Sequence, residues 1–261
     1  MSTTIEAVIL DWAGTAVDFG CFAPVQAFIR AFEAYGITPT IEEVRKPMGM
    51  LKRDHIKTMM NMDRIHQEWI HIHGADFTEA DIDHVYEASE TEILKILKDY
   101  AEPVPYVLDT VKKLRDMGIR IGSTTGYTDE MMEIVVQKAK ENGYAPDCWF
   151  SPNSTENFGR PYPYMIFKNL QTLKVSSVKN VIKIGDTVSD IKEGLAAGVI
   201  TAGVIEGSSI MGLDKAQYGA LSAKEKEEVC RSVEKQFLDA GADYVIRNLS
   251  QLPALIERFD R

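Results

Sequence analysis

The sequence predicts an α/β fold, a doubly wound parallel sheet with an all-helical domain inserted after its first strand. Two observations carry this. Short apolar runs of strand length alternate with patterns of helical period, the arrangement of a parallel sheet covered on both faces. Between about Cys21 and Tyr100 the alternation stops, and helical patterns follow one another with no convincing strand. With 261 residues the chain is long enough for both units, since a domain takes ~100–200 residues.

The first strand is Ile5–Leu10 (IEAVIL), short, apolar and rich in β-branched residues. Further strands are expected at Ile119–Ser123, Val181–Ile184, Val199–Ile205 and Tyr244–Ile246. Helical patterns between them cover Val107–Met117, Asp129–Asn142, Tyr164–Leu173 and Asp190–Ala197, and a long one starts near Ser222. Ser222 with Glu225 reads as a capping box, as does Thr40 with Glu43 in the insert. Helices in the insert are expected near 24–35, 41–47, 51–61, 63–71 and 79–98. Pro103 and Pro105 mark the return to the sheet, dividing the chain into 1–20 with 101–261, and 21–100.

Composition removes several function classes. The longest apolar stretch, Ala196–Ile205, is interrupted by Gly198, Thr201 and Gly203, and a membrane span needs ~20 apolar residues. The first residues, MSTTIEAVILDW, lack the basic region of a secretory leader. A net charge of −10 with no dense Lys/Arg cluster argues against a nucleic-acid partner. It also means that an anionic substrate needs a local cation or a metal. Cys21, Cys148 and Cys230 are widely spaced and odd in number, as in a reducing cytoplasm.

Ligands of such sheets bind beyond the carboxyl ends of the strands. Asp11 follows the first strand, Thr125 and Gly126 the second, and Asp186 the VIKI strand, with Asp190 four residues on. Taken alone, Asp11 and Asp186 each read as turn or capping residues. Together at adjacent strand ends they would repel unless a cation lay between them, and Mg²⁺ suits hard oxygen ligands.

The ordered motifs DWAGT, STTG, GRPYP and GDTVSD resemble those of the haloacid dehalogenase superfamily over the whole chain. The resemblance implies a Rossmann-like core with the insert as a helical cap. It implies Asp11 as a nucleophile that becomes phospho-aspartate, with Thr125 and Gly126 at the phosphoryl oxygens. Arg160 would neutralise phosphate charge. Asp11, the backbone carbonyl of Ala13 and Asp186 would hold Mg²⁺, with Asp190 orienting metal waters or pairing with a base. The departure is Ala13, where phosphatases of the superfamily carry the aspartate that protonates the leaving alcohol. An ordinary ester phosphatase lacks its acid here, and a non-catalytic ligand-binding member is opposed by the retained Asp11, Thr125, Arg160 and Asp186.

Lys52, in KPMGMLKRDH, reads alone as a solvated helix lysine. Lys46, Arg53 and His55 nearby favour a neutral amine, and the apolar run Met48–Leu51 would help dry it. A neutral amine forms an imine with a carbonyl, and a protonated imine accepts electrons from a breaking C–P bond, so no acid at position 13 is required. With GCFAP and STTGYT, these residues resemble the phosphonatase family, hydrolases of the C–P bond of phosphonoacetaldehyde. That resemblance implies Lys52 as the Schiff-base residue and Met48 and His55 as its catalytic neighbours, His55 moving a proton. It places Cys21 and Tyr127 near a small phosphonate substrate and implies a homodimer formed through the cap. His66, His71 and His73 do not share one helical face and read as packed or solvated. Met59, Met60 and Met62 read as cap packing or a dimer contact.

Overall fold

The computed structural model describes residues 5–48 and 50–259. In chain order the elements begin with β1 (Ala7–Leu10). The insert follows: α1 (Phe22–Glu33), α2 (Ile41–Arg45), α3 (Lys52–Met60), α4 (Asp63–His73) and α5 (Glu79–Ile96). The chain then returns through α6 (Val107–Asp116), β2 (Arg120–Thr124), α7 (Asp129–Glu141), β3 (Cys148–Phe150), α8 (Tyr164–Thr172) and β4 (Val181–Gly185). It ends with α9 (Val188–Ala197), β5 (Ile200–Val204), α10 (Lys215–Ala220), α11 (Ala223–Asp239), β6 (Tyr244–Ile246) and α12 (Leu252–Ile256).

The six strands are all parallel, in the order β3-β2-β1-β4-β5-β6. Period-2 alternation sends Val8 and Leu10 into the core beneath α6, α7 and α12, and Ala7 and Ile9 into the one beneath α8 and α9. The direction of winding reverses between β1 and β4, and there the carboxyl ends open a crevice.

Helices α1–α5 have a core of their own, built on Phe28, Phe32, Ile56, Met59, Met60, Ile65, Trp69 and Ile82. Met59 and Met60 are fully buried in it, so they are packing residues and not a contact between copies. The two connections between insert and sheet run side by side. Asp18 N–H donates to the Glu102 carbonyl (3.2 Å), Val104 N–H donates to the Ala16 carbonyl (2.9 Å), and Val17 pairs with Pro103.

The sequence reading lacked β3, α10 and α12. Strand β3 is three half-buried residues at the sheet edge, too short to show alternation. Helices α10 and α12 are six and five residues long, shorter than two turns. Helix α9 starts two residues earlier than expected because Thr187 and Asp190 form a capping box, so Asp190 has a structural as well as a chemical role.

Candidate active site

Asp11, Thr125 and Asp186 each directly follow a strand at the crevice, and Arg160 comes from the loop between β3 and α8. The chain leaves β1 through Asp11 and turns sharply, with the Trp12 carbonyl accepting from the N–H groups of Thr15, Ala16 and Val17. Gly14 makes this turn possible twice over. Its φ is +83°, and an added Cβ would lie 2.1 Å from Asp186 Oδ2. Asp186 therefore rests directly on the turn that carries Asp11.

Asp11, Asp186 and Asp190 are buried, and one carboxylate oxygen from each lies within 4.8 Å of the others. A network of charge surrounds them. Arg160 binds Asp11 through Nη2, lies 3.0 Å from Asp190 Oδ1 and donates to Glu193 Oε2 at 3.0 Å. Lys183, wholly buried, reaches Asp190 Oδ1 at 2.8 Å, Thr124 Oγ1 at 2.8 Å and Glu193 Oε2 at 3.4 Å. Four carboxylates thus face two cations, leaving two negative charges when all are ionised. Burial pushes Asp11 and Asp186 above the usual carboxylate range, with Asp190 adding repulsion to both. Asp190 goes the other way, because Arg160 and Lys183 outweigh its burial. Asp186 Oδ1 has no hydrogen-bond partner among the described residues. An unpaired buried oxygen within an acid-rich, all-oxygen set is what a divalent cation would complete.

The cap closes over this crevice. One cavity is lined from the core by Asp11, Ala13, Thr125, Gly126, Tyr127, Arg160, Asp186 and Thr187, and from the cap side by Cys21, Met48, Lys52 and His55. It is about 50 Å³, room for a handful of waters at ~10–15 Å³ each, and so for a ligand of few heavy atoms. Ala13 forms part of the wall and offers no acid side chain to it. Thr125 Oγ1 accepts from Tyr127 N–H (3.0 Å), which shapes the loop after β2.

Lys52 opens α3, and its Nζ lies 4.7 Å from the centre of the Tyr127 ring. Burial pulls its amine down to about 8. The neighbouring cations are not the cause. Arg53 turns outward to Asp83 (2.6 Å) and Glu79 (2.9 Å), and Lys46 is exposed. His55 stacks on Phe28, their centroids 4.2 Å apart, and burial with the nearby Lys52 drives its imidazole down to about 3. It is neutral near pH 7, with Nε2 unpartnered among the described residues, so it holds no imidazolium proton to deliver and takes one up only reluctantly. Burial raises the Cys21 thiol and the Tyr127 phenol, and both stay protonated. Met48 lies half-buried on the cavity wall, and Gly49 lies outside the described residues. The expected site residues thus converge, with Lys183, Glu193 and Thr124 beside them unanticipated. The available signal was Lys183 itself, a lysine within an otherwise apolar strand, with Glu193 one helical turn beyond Asp190.

The comparisons with known proteins bear on this geometry. The family model described as haloacid dehalogenase-like hydrolase matches residues 5–198, and the chain belongs to that family. Within it the chain stands with the phosphonoacetaldehyde hydrolases. It is 52% identical over 252 residues to the phosphonoacetaldehyde hydrolase of Lysinibacillus sphaericus, covering 97% of this chain and 94% of that one. To the enzyme of the same name from Bacillus cytotoxicus it is 46% identical over 257 residues, covering 98% and 97%. A crystal structure described as a phosphonoacetaldehyde hydrolase-like protein from Oleispira antarctica superposes with a TM-score of 0.95 at 37% identity, covering 100% of this chain and 94% of that one.

Proposed function

We propose that the protein hydrolyses the C–P bond of phosphonoacetaldehyde, giving acetaldehyde and phosphate. One juxtaposition carries the reading. The lowered Lys52 amine lines the same cavity as Asp11, while position 13, where a leaving-group acid would stand, is alanine. The relatives reported above carry that name over nearly their full length.

Lys52, in its neutral form, adds to the aldehyde carbon and loses water to give an imine. Asp11 then attacks phosphorus in line with the C–P bond. The electrons of that bond pass into the protonated imine, so carbon leaves as an enamine. Arg160 faces the oxygens of the transferring group, where its charge offsets theirs. Protonation of the enamine carbon and hydrolysis release acetaldehyde and restore Lys52. Water cleaves phospho-Asp11 to phosphate. His55, neutral with Nε2 unpartnered among the described residues, lines the cavity beside Lys52 and orients the amine, its low proton affinity leaving the proton on other groups. Asp11, Asp186 and the Ala13 carbonyl would hold Mg²⁺, whose chemistry there is to neutralise phosphoryl charge.

Incubation with phosphonoacetaldehyde tests the reading, with phosphate and acetaldehyde expected in equal amounts. Phosphate from simple esters but none from the phosphonate would replace it with an ester phosphatase or phosphoryl transferase. The same proposal includes cytoplasmic residence, supported by three free thiols, and pairing of two copies through the cap, supported by the resemblance of its motifs. Among the described residues no helix is long and apolar enough to cross a membrane. Sedimentation at twice the 29.2 kDa chain mass checks the pairing.

A further inference from the structure

We propose that Arg45, at the end of α2, is a positioning residue that ties the seating of the cap to the setting of Asp186. Its Nη1 crosses from the cap to the core and donates to the Ser209 carbonyl (3.2 Å) and Ser209 Oγ (3.4 Å). Ser209 follows β5, and its own N–H donates to Asp186 Oδ2 at 2.8 Å. A single core residue is therefore bonded on one side to the cap and on the other to a carboxylate of the acidic cluster.

The seat is built. The Phe22 ring covers one side of the guanidinium, 4.7 Å from Cζ to its centroid. Gly212 also comes close, and an added Cβ there would stand 3.2 Å from Arg45 Nε. Yet Nε and Nη2 are buried without hydrogen-bond partners among the described residues. A buried cation with part of its donors unsatisfied is a poor device for stability, so its placement calls for another reason. The bond to Ser209 supplies one. When the cap is seated, Ser209 is held and Asp186 is held with it; when the cap lifts, that restraint is released. Coupling of this kind is reciprocal, so a cation in the acidic cluster also favours the seated cap.

This inference rests on the reading of the carboxylates as a metal site, and its test separates the two. Calorimetric titration of the substrate-free protein with Mg²⁺ alone compares the unaltered chain with Arg45→Met, Arg45→Lys and Ser209→Ala. Removing a positive charge near Asp186 would by Coulomb attraction tighten Mg²⁺ binding. Loss of a positioning bond does the opposite. Arg45→Met is expected to weaken binding about fivefold or more, Arg45→Lys to recover part of the loss, and Ser209→Ala, which keeps both backbone groups, to bind as the unaltered protein does. Arg45→Gln replaces Arg45→Met if the latter does not fold. Unchanged or tighter binding in Arg45→Met or Arg45→Gln overturns the proposal. No uptake by the unaltered protein removes the metal reading and this proposal together, and leaves release of acetaldehyde and phosphate to be judged separately.

Discussion

Lys52 Nζ lies 4.7 Å from the centre of the Tyr127 ring, so an amine carried by the cap touches the loop that follows β2 of the core. Both residues line the cavity that holds Asp11. An amine facing open solvent would have ended the imine reading; this one is half-buried on the cavity wall, and burial lowers its proton affinity.

That lowering sets the acid side of the pH profile. With the amine near 8 instead of its ordinary 10.5, about one molecule in ten is neutral at pH 7, against about one in three thousand. The form that attacks the aldehyde is neutral, so kcat/KM should rise with pH and level off above about 8. A profile flat between pH 6 and 9, or still rising tenfold per unit at pH 9, would contradict the role of burial.

The two covalent steps should separate by mutation. Borohydride added with substrate should attach the substrate carbons to Lys52, and Lys52→Met should abolish the label. Asp11→Asn should retain the label while turnover falls by about 10⁴-fold or more, because a nucleophile is lost. Labelling that persists in Lys52→Met removes the imine step; turnover that persists in Asp11→Asn removes the phospho-aspartate.

Ala13→Asp restores an acid to the cavity wall. Release of phosphate from small phosphate esters should appear or rise by about 10²-fold, the usual scale of general acid catalysis. C–P cleavage should fall, since the new carboxylate crowds a cluster whose burial already opposes ionisation. A variant with unaltered preference for the phosphonate would show that position 13 does not select the leaving group.

Lys183 is wholly buried and touches Asp190 and Glu193. Lys183→Met would leave Arg160 as the one cation facing Asp11, Asp190 and Glu193 among the described residues, an unbalanced buried charge costing about 3–5 kcal/mol. Urea unfolding reads it directly, and a midpoint within error of the unaltered protein would mean that Arg160 alone neutralises Asp190 and Glu193.

How much of this was legible in the sequence depends on the kind of physics involved. Asp11, Thr125 and Asp186 could be placed because a residue directly after a parallel strand must lie at the carboxyl edge, and the strands announced themselves by β-branched runs. Strand β3 could not, since CWF is too short to alternate. Lys52 was identified for a reason only half correct. Proximity in sequence to Lys46, Arg53 and His55 suggested repulsion, but helix α3 sends Arg53 outward to Glu79 and Asp83 and turns Lys52 inward. Burial is a tertiary property, and so are the links from Lys183 to Glu193 and from Arg45 to Ser209, which join residues ten and 164 positions apart.

The hydrogen bond from Asp18 to Glu102 means that the chain departs for the cap and comes back at the same doorstep. A few glycines could bridge that gap in place of residues 21–100 without stretching the sheet. Such a shortened protein would keep every carboxylate of the crevice and lose the amine, leaving phosphorus chemistry with no partner for the aldehyde. The molecule is in this sense joined at one stitched ribbon, with the carboxylates on one side and the amine on the other, while Arg45 and Lys52 hold the two in register across the crevice.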